Sequence, residues 1–585
     1  MIRKLSLHHL FIFVSIGFGF ISLFTIIGGI FHYLNRGFEL SDEGYYLYLS
    51  NYYNPISYNV SAFGILNKLA CFGDATLINL RLAKLLYQLI AVLFFVWSLL
   101  KYLKFKNIIL DLKQKAFVFI IISVTSFGHY DYLPMTLSYN SWSLILALSC
   151  FALIVLEFTI TSKSINILTS MAIGFLCFAL FLTKLPNGII MMCLYGMFNL
   201  FYIKKNTILK VVGFVAGVFA SYLIILKNSE NLFAIIENYR ITLFDVKHAE
   251  SGVYLKQFYK VLALCGQHKL ITVIVFFGLL IVFIILRKLA IKMKQITTYK
   301  KHVYTYIVFT IGFLMCLPFC KGNGHKTYND FIAVGLLILN PFLFVYFNGT
   351  SSLKITTFFK NDIYIVITVL VLMPVLLMIG TNNAFYYSTS PTMVFAFSGV
   401  LIYLVMSKTK YTTYLSLFSL VSCLFVLSIL YFGGIKKPYR QTNLNDKTYP
   451  LSFGPLLKGV YESREAFVDF VSVNQIINTL NKDQQPFLTF FNFYGFTIIN
   501  NTKTVPEMPL STQERALEYN DFVMSKSNLG QIKPLLLLPD TIIANPKFNA
   551  LFNKYNISLK RDYHLIYKYQ FRSSKEKMFI YKSTL

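Results

Sequence analysis

The stretch LFIFVSIGFGFISLFTIIGGIFHY (10–33), continued by LNRGFELSDEGYYLYLS (34–50), decides how this chain is read. An apolar run of that length crosses a hydrocarbon core of about 30 Å as a single helix. The chain then turns polar, and Asp42 and Glu43 stand just where it leaves the membrane. Carboxylates at that boundary are well placed to serve a membrane-embedded active site. A plainer reading sits beside this one. Ser41 is a good helix N-cap and acids at the next two positions favour the helix dipole, so the same residues can simply open an interfacial helix.

Composition extends the first reading to the whole chain. With 56% hydrophobic, 17% aromatic and 14% charged residues over 585 positions, a soluble domain is excluded and a polytopic membrane protein is implied. Further apolar runs lie near 85–103, 114–128, 141–161, 165–183, 188–203, 208–226, 270–286, 303–320, 331–347, 363–380, 391–406 and 414–433. Together they predict about thirteen transmembrane helices. The first run follows Arg3 and Lys4 but is too long for a cleaved signal and lacks a small-x-small site, so it reads as a retained anchor.

Charge placement gives the orientation. If the N-terminus is cytoplasmic, the inside loops collect Lys101, Lys104, Lys106, Lys113, Lys115, Lys204 and Lys205, and later Arg287 and Lys288. The turns 128–140 and 380–391 contain no Lys or Arg, as short external loops should. Acids fall the other way. Glu39, Asp42, Glu43, Asp74, Asp131, Glu230, Glu237, Asp245, Glu250 and Asp330 are external in this scheme, which places polar chemistry on the outer face. The net charge of +29 suits contact with anionic headgroups or phosphates; no nucleic-acid motif accompanies it. The eight cysteines show no C-x-x-C spacing, so neither a zinc site nor a disulfide framework is implied.

From about residue 434 the chain becomes polar and rich in Asn and Lys, which divides it into a membrane domain (1–433) and an extracytoplasmic α/β domain (434–585). A helical pattern at 463–480, strand-like PFLTFF (486–491) and LLLLP (535–539), and a terminal hairpin of YHLIYKY and KMFIYKS are expected there. The tail has no phosphate-cradling glycine pattern and no nucleophile elbow, so it reads as supporting or acceptor-binding.

Three short segments carry a family resemblance: SDEGYYLYLS (41–50), SYNSWS (138–143) and TKLPNG (183–188). With the many spans and the external tail, they resemble the GT-C glycosyltransferases that use polyprenyl-phosphate sugars. Bacterial members include the aminoarabinose transferase of lipid A and relatives of the protein O-mannosyltransferases. The resemblance implies a transferase that moves a sugar, with inversion, from a polyprenyl-phosphate donor to a glycolipid, lipopolysaccharide or other envelope glycan, or protein, on the outer face of the cytoplasmic membrane. It matches Asp42 to the carboxylate that activates the acceptor and Glu43 to the acid that follows. Metal dependence varies within the superfamily, so no metal is assigned and a divalent cation is left open.

Such a reaction needs a base for the incoming hydroxyl and cations for the leaving phosphate. Neighbouring positions do not share a helix face, so only one of Asp42 and Glu43 is expected to meet the substrate, and Asp42 is preferred. The external cations are Lys184, Arg240, Lys247, His248, Lys321, His325 and Lys326, with Arg240 foremost because its planar fork holds two phosphate oxygens. Tyr139 and Asn140 open a span within the family-like stretch and, with Tyr45, are expected to contact sugar or phosphate. His129 and Asp131 form a further candidate pair. Two other readings remain open: a ligase or polymerase using lipid pyrophosphates, and a transporter or flippase, for which the chain lacks repeated halves and has few acids at the bilayer midplane.

Overall fold

A computed structural model describes residues 7–52, 61–71, 73–131, 134–203, 206–226, 229–240, 362–377, 390–406, 412–527, 529, 531–574 and 576–584. Within them lie helices α1 (Leu7–His32), α2 (Asp42–Tyr52), α3 (Phe63–Cys71), α4 (Leu77–Phe105), α5 (Leu112–Thr125), α6 (Tyr139–Glu157) and α7 (Lys163–Thr183). They are followed by α8 (Leu185–Phe198), α9 (Thr207–Ile225), α10 (Ser229–Arg240), α11 (Asp362–Leu376), α12 (Met393–Met406) and α13 (Thr412–Ile429). Among the described residues, seven helices are long and apolar enough to cross a bilayer, while α11 and α12 are shorter apolar helices. The chain is a mainly helical, multi-pass membrane protein. The runs expected near 270–286, 303–320 and 331–347 lie outside the described residues.

Local chemistry sets several helix starts. Thr76 accepts the Asn79 N–H ahead of α4, and Asp111 with Gln114 forms a reciprocal capping box ahead of α5. Packing uses small residues where backbones must approach. A Cβ on Gly217 would lie 1.8 Å from the Met171 carbonyl oxygen and one on Gly213 2.6 Å from that of Ile167, so the GFVAG sequence of α9 seats it against α7. Val211, Val212, Val215 and Phe219 on α9 stay exposed, as lipid-facing side chains would.

The loops sort onto two ends. At one, Lys106 meets Asp362 at 2.6 Å. At the other, Lys184 reaches the Leu377 carbonyl at 3.4 Å, Ser61 bonds the Thr183 carbonyl, Thr136 meets Glu43 and the Thr504 N–H meets Tyr48. These are the groupings that alternating spans require.

Past α13 a π-turn ends at Ile435, and the tail folds as helix α14 (Arg464–Leu480) with a four-stranded mixed sheet. Its strands are β1 (Phe487–Thr489), β2 (Leu535–Pro539), β3 (Tyr563–Gln570) and β4 (Lys577–Ser583), in the order β1-β2-β4-β3. β1 and β2 are parallel, with Phe487 opposite Leu535; β4 is antiparallel to both its neighbours. All five residues of β2 are buried, as its uninterrupted leucines suggest.

The tail is docked, not tethered. One buried apolar cluster runs from Phe95 and Phe151 of the bundle through Tyr46 and Leu49 of α2 to Phe470 and Phe496. The Gly495 N–H donates to the Leu40 carbonyl at 2.6 Å, and Gly37 and Asn35 exchange hydrogen bonds with Tyr461 at 2.8 Å each. A Cβ on Gly44 would lie 2.6 Å from the Cα of Gly495, so two glycines let α2 and the short helix Gly495–Ile499 touch backbone to backbone. Gly44→Ala is therefore expected to cost about 1–3 kcal/mol through overpacking. A lower unfolding temperature in detergent, with faster proteolytic release of the tail, checks it.

Candidate active site

α2 begins where its first turn finds an acceptor. Glu39 receives the backbone N–H groups of Ser41 (3.0 Å), Asp42 and Glu43 (3.2 Å), together with the Ser41 hydroxyl. A carboxylate there satisfies otherwise orphaned donors and lies at the positive end of the helix. The cap is thus Glu39, not the expected Ser41, whose hydroxyl donates to Glu39 and accepts from Arg440 Nη1.

The next two acids diverge. Glu43 is fully buried against Arg81, itself 1% exposed. Arg81 Nη2 lies 2.7 and 2.9 Å from the two Glu43 oxygens and Nε lies 3.1 Å from Oε1. Its remaining donors reach the carbonyls of Leu34 (2.8 Å), Arg36 (3.0 Å) and Gly37 (2.7 Å), while Thr136 donates to Glu43 Oε1 and Glu39 N to Oε2. Both groups are saturated, which makes Glu43 an anchor of α2 on α4 and leaves it no lone pair directed at a substrate.

Asp42 faces the other way, its side chain 17% exposed. It accepts from the Tyr46 hydroxyl at 3.3 Å and lies 3.5 Å from Arg440 Nη1, with Tyr439 as a further hydrogen-bond donor. Burial lifts the Asp42 carboxyl above the ordinary carboxylate range, opposed first by Arg440 and then by the two tyrosines. Burial, then Asp42, pushes Glu39 up to about 7, opposed by Ser41 and Arg440.

Arg440 is the cation that sequence reasoning missed. It adopts φ +52° in the loop after the last membrane helix, with its guanidinium 4.9 Å from the Tyr439 ring and 5.8 Å from the Phe491 ring. Together with Glu39, Ser41 and Lys437 it lines a cavity of about 720 Å³, closed on the tail side by Asn492 and Glu576. A signal existed in the sequence: KKPYR (436–440) puts three cations just past the end of the last apolar run, in a segment expected to be external, where the charge rule predicts few.

The other expected residues are distributed as follows. Tyr45 points to the tail, its ring 5.7 Å from that of Tyr494 and its hydroxyl 3.3 Å from Met508 Sδ. Tyr139, half-buried at the start of α6, meets the Tyr46 ring edge to face at 6.2 Å, and Asn140 is half-buried next to it. Lys184 sits at the kink between α7 and α8, on the side where Ser61 bonds the Thr183 carbonyl. His129 is buried, with Nδ1 3.0 Å from the Ser126 carbonyl; burial and then Lys84 hold its pKa well below the usual histidine value, so it is a neutral packing residue. Asp131 shares its 3-10 turn, and Arg240 is the last residue of α10. Lys247, His248, Lys321, His325 and Lys326 lie outside the described residues.

Among the described residues, no three His, Cys, Asp or Glu side chains are arranged to hold a metal ion. Glu39 is occupied as a cap and Glu43 by Arg81, so at the start of α2 the remaining carboxylate, Asp42, stands beside a guanidinium. That donor set does not fit a divalent cation.

No family model and no curated protein matches the chain. Among solved structures it is similar to the oligosaccharyltransferase of Archaeoglobus fulgidus in complex with zinc and sulfate, at 11% identity and a TM-score of 0.43 over 97% of this chain and 73% of that one.

Removing one partner of a saturated buried pair strands the other charge. Glu43→Gln is expected to destabilise the protein by about 3–5 kcal/mol, and Glu43→Gln with Arg81→Met to recover most of that loss. Asp42→Asn, in contrast, should leave the unfolding transition near that of the wild type. Thermal unfolding of the purified proteins in detergent measures all three.

Proposed function

We propose that this protein is a membrane glycosyltransferase that moves a sugar from a polyprenyl-phosphate donor to an acceptor hydroxyl on the outer face of the cytoplasmic membrane. The observation that carries the reading is the pairing of Asp42, partly exposed and raised in basicity by burial, with the half-exposed Arg440, which itself lines a cavity together with Glu39 and Ser41 and residues of the tail.

Asp42 takes the proton of the acceptor hydroxyl as its oxygen bonds to the anomeric carbon. The bond from that carbon to the phosphate oxygen breaks, and polyprenyl phosphate leaves with the electron pair. One displacement inverts the configuration. Arg440 presents a planar fork to the developing phosphate charge, a task assigned from sequence to Arg240, and Lys437 adds a second cation at the cavity wall. Tyr46 and Tyr439 orient the Asp42 carboxylate, and Glu43 holds the helix that carries it. Tyr139, one of the expected sugar-contacting residues, lies with its ring edge against Tyr46.

Asp42→Asn is expected to lower transfer of radiolabelled sugar from polyprenyl-phosphate donors by about a hundredfold to ten-thousandfold. Undiminished transfer by a folded variant overturns the assignment, and transfer from pyrophosphate-linked glycans alone moves the protein to the ligase class. Activity should also fall on acidification, as Asp42 is protonated. Because Arg440 favours the ionised carboxylate, the acid limb of the residual activity in Arg440→Gln should move to higher pH; a limb that stays in place separates Arg440 from Asp42.

A further inference from the structure

A second cavity, of about 890 Å³, opens on the tail between the end of α14, the 500–507 loop and Lys526, Ser527 and Ile532. Its charged lining residues are Lys482, Lys503, Lys526 and Glu507, three cations against one anion. Amides and hydroxyls make up most of the remainder, including Asn478, Asn501 and Thr502. Two acceptors at its wall, Asn500 Oδ1 and Glu507 Oε2, are buried without a donor.

The position of this groove relative to Asp42 is set by α2. Asp42 opens that helix and Tyr52 closes it, and the Tyr52 hydroxyl donates to Asn501 Oδ1 at 2.9 Å. At about 1.5 Å per residue, one end of the helix stands about 15 Å from the other. Tyr48, one turn earlier, accepts the Thr504 N–H at 3.3 Å, so the groove is fastened along the same helix that carries the candidate base.

Resting on the glycosyltransferase reading, we infer that this groove holds the remote sugars of an anionic oligosaccharide acceptor whose terminal hydroxyl lies at Asp42. Lysines suit carboxylate or phosphate groups on the sugars, and amides suit their hydroxyls. A lone sugar does not span the length of α2, whereas a chain of several does. An acyl chain is a poorer occupant, since three lysines and a carboxylate would lie against it.

The test is calorimetric titration of the full-length protein in detergent with hexagalacturonate, with neutral maltohexaose, and with vesicles of phosphatidylglycerol. Hexagalacturonate should bind at least tenfold more tightly than maltohexaose, weaken with salt, and lose at least tenfold in Lys482→Gln/Lys503→Gln/Lys526→Gln. The three lysines are exposed, so that variant should fold normally. No binding of hexagalacturonate, equal binding to the triple variant, or binding to vesicles alone overturns the inference. Failure of the transferase reading is seen separately, as transfer that survives Asp42→Asn while the charge preference of the groove persists.

Discussion

The buried pair of Glu43 and Arg81 is the interaction on which the site depends. Taking two charges out of water carries a penalty of several kcal/mol for each, and mutual attraction offsets it only when the remaining hydrogen-bonding groups are also satisfied. That condition is met: Thr136, Glu39 N and three carbonyls from 34–37 complete the network. One guanidinium thereby fixes the end of α1, the turn before α2 and α2 itself onto α4. With Glu43 committed to structure, its neighbour is turned toward the loop that follows the last membrane helix. The division of labour between adjacent acids follows from helix geometry, which rotates successive side chains by about 100°.

A second constraint brings the tail into the site. Gly44 and Gly495 allow two short helices to approach until a Leu40 carbonyl receives the Gly495 N–H. This contact, one residue beyond Glu43, places Asn492 and Phe493 across the cavity from Glu39 and Ser41. The cavity therefore belongs to neither part alone. Its floor comes from the first segment after α1, its cation from the segment after α13, and its far wall from the tail. The change of composition near residue 434 marks a change of solvent, while the apolar packing runs continuously across it.

Much of this was legible in advance. Hydrophobic runs located the helices because a lipid-facing helix must be apolar over a fixed length, whatever it packs against. The tail helix at 464–480, the buried LLLLP strand and the terminal hairpin were likewise readable from periodicity and turn residues. Asp42 stood out through its place at the membrane boundary. Ser41 holds the position before the helix, as the plainer reading had it, but a propensity rule sees only the nearest oxygen in sequence, whereas the Glu39 side chain, two residues earlier, collects three N–H groups. Arg440 was not among the cations weighed from the sequence, where Arg240 was put first for its planar fork, although the run of cations at 436–440 was there to be read.

By itself, then, the sequence determined that the chain is a multi-pass membrane protein and where its long apolar helices run. These properties depend on transfer of side chains between water and hydrocarbon, which each segment expresses without reference to the others. Tertiary structure alone decided that Glu43 is an anchor, that Arg440 meets Asp42 from almost four hundred residues away, and that a basic groove lies one helix length from the candidate base. Those pairings rest on short-range hydrogen bonds and close backbone contacts, which depend on how distant segments fold against one another and leave no periodic trace in the chain.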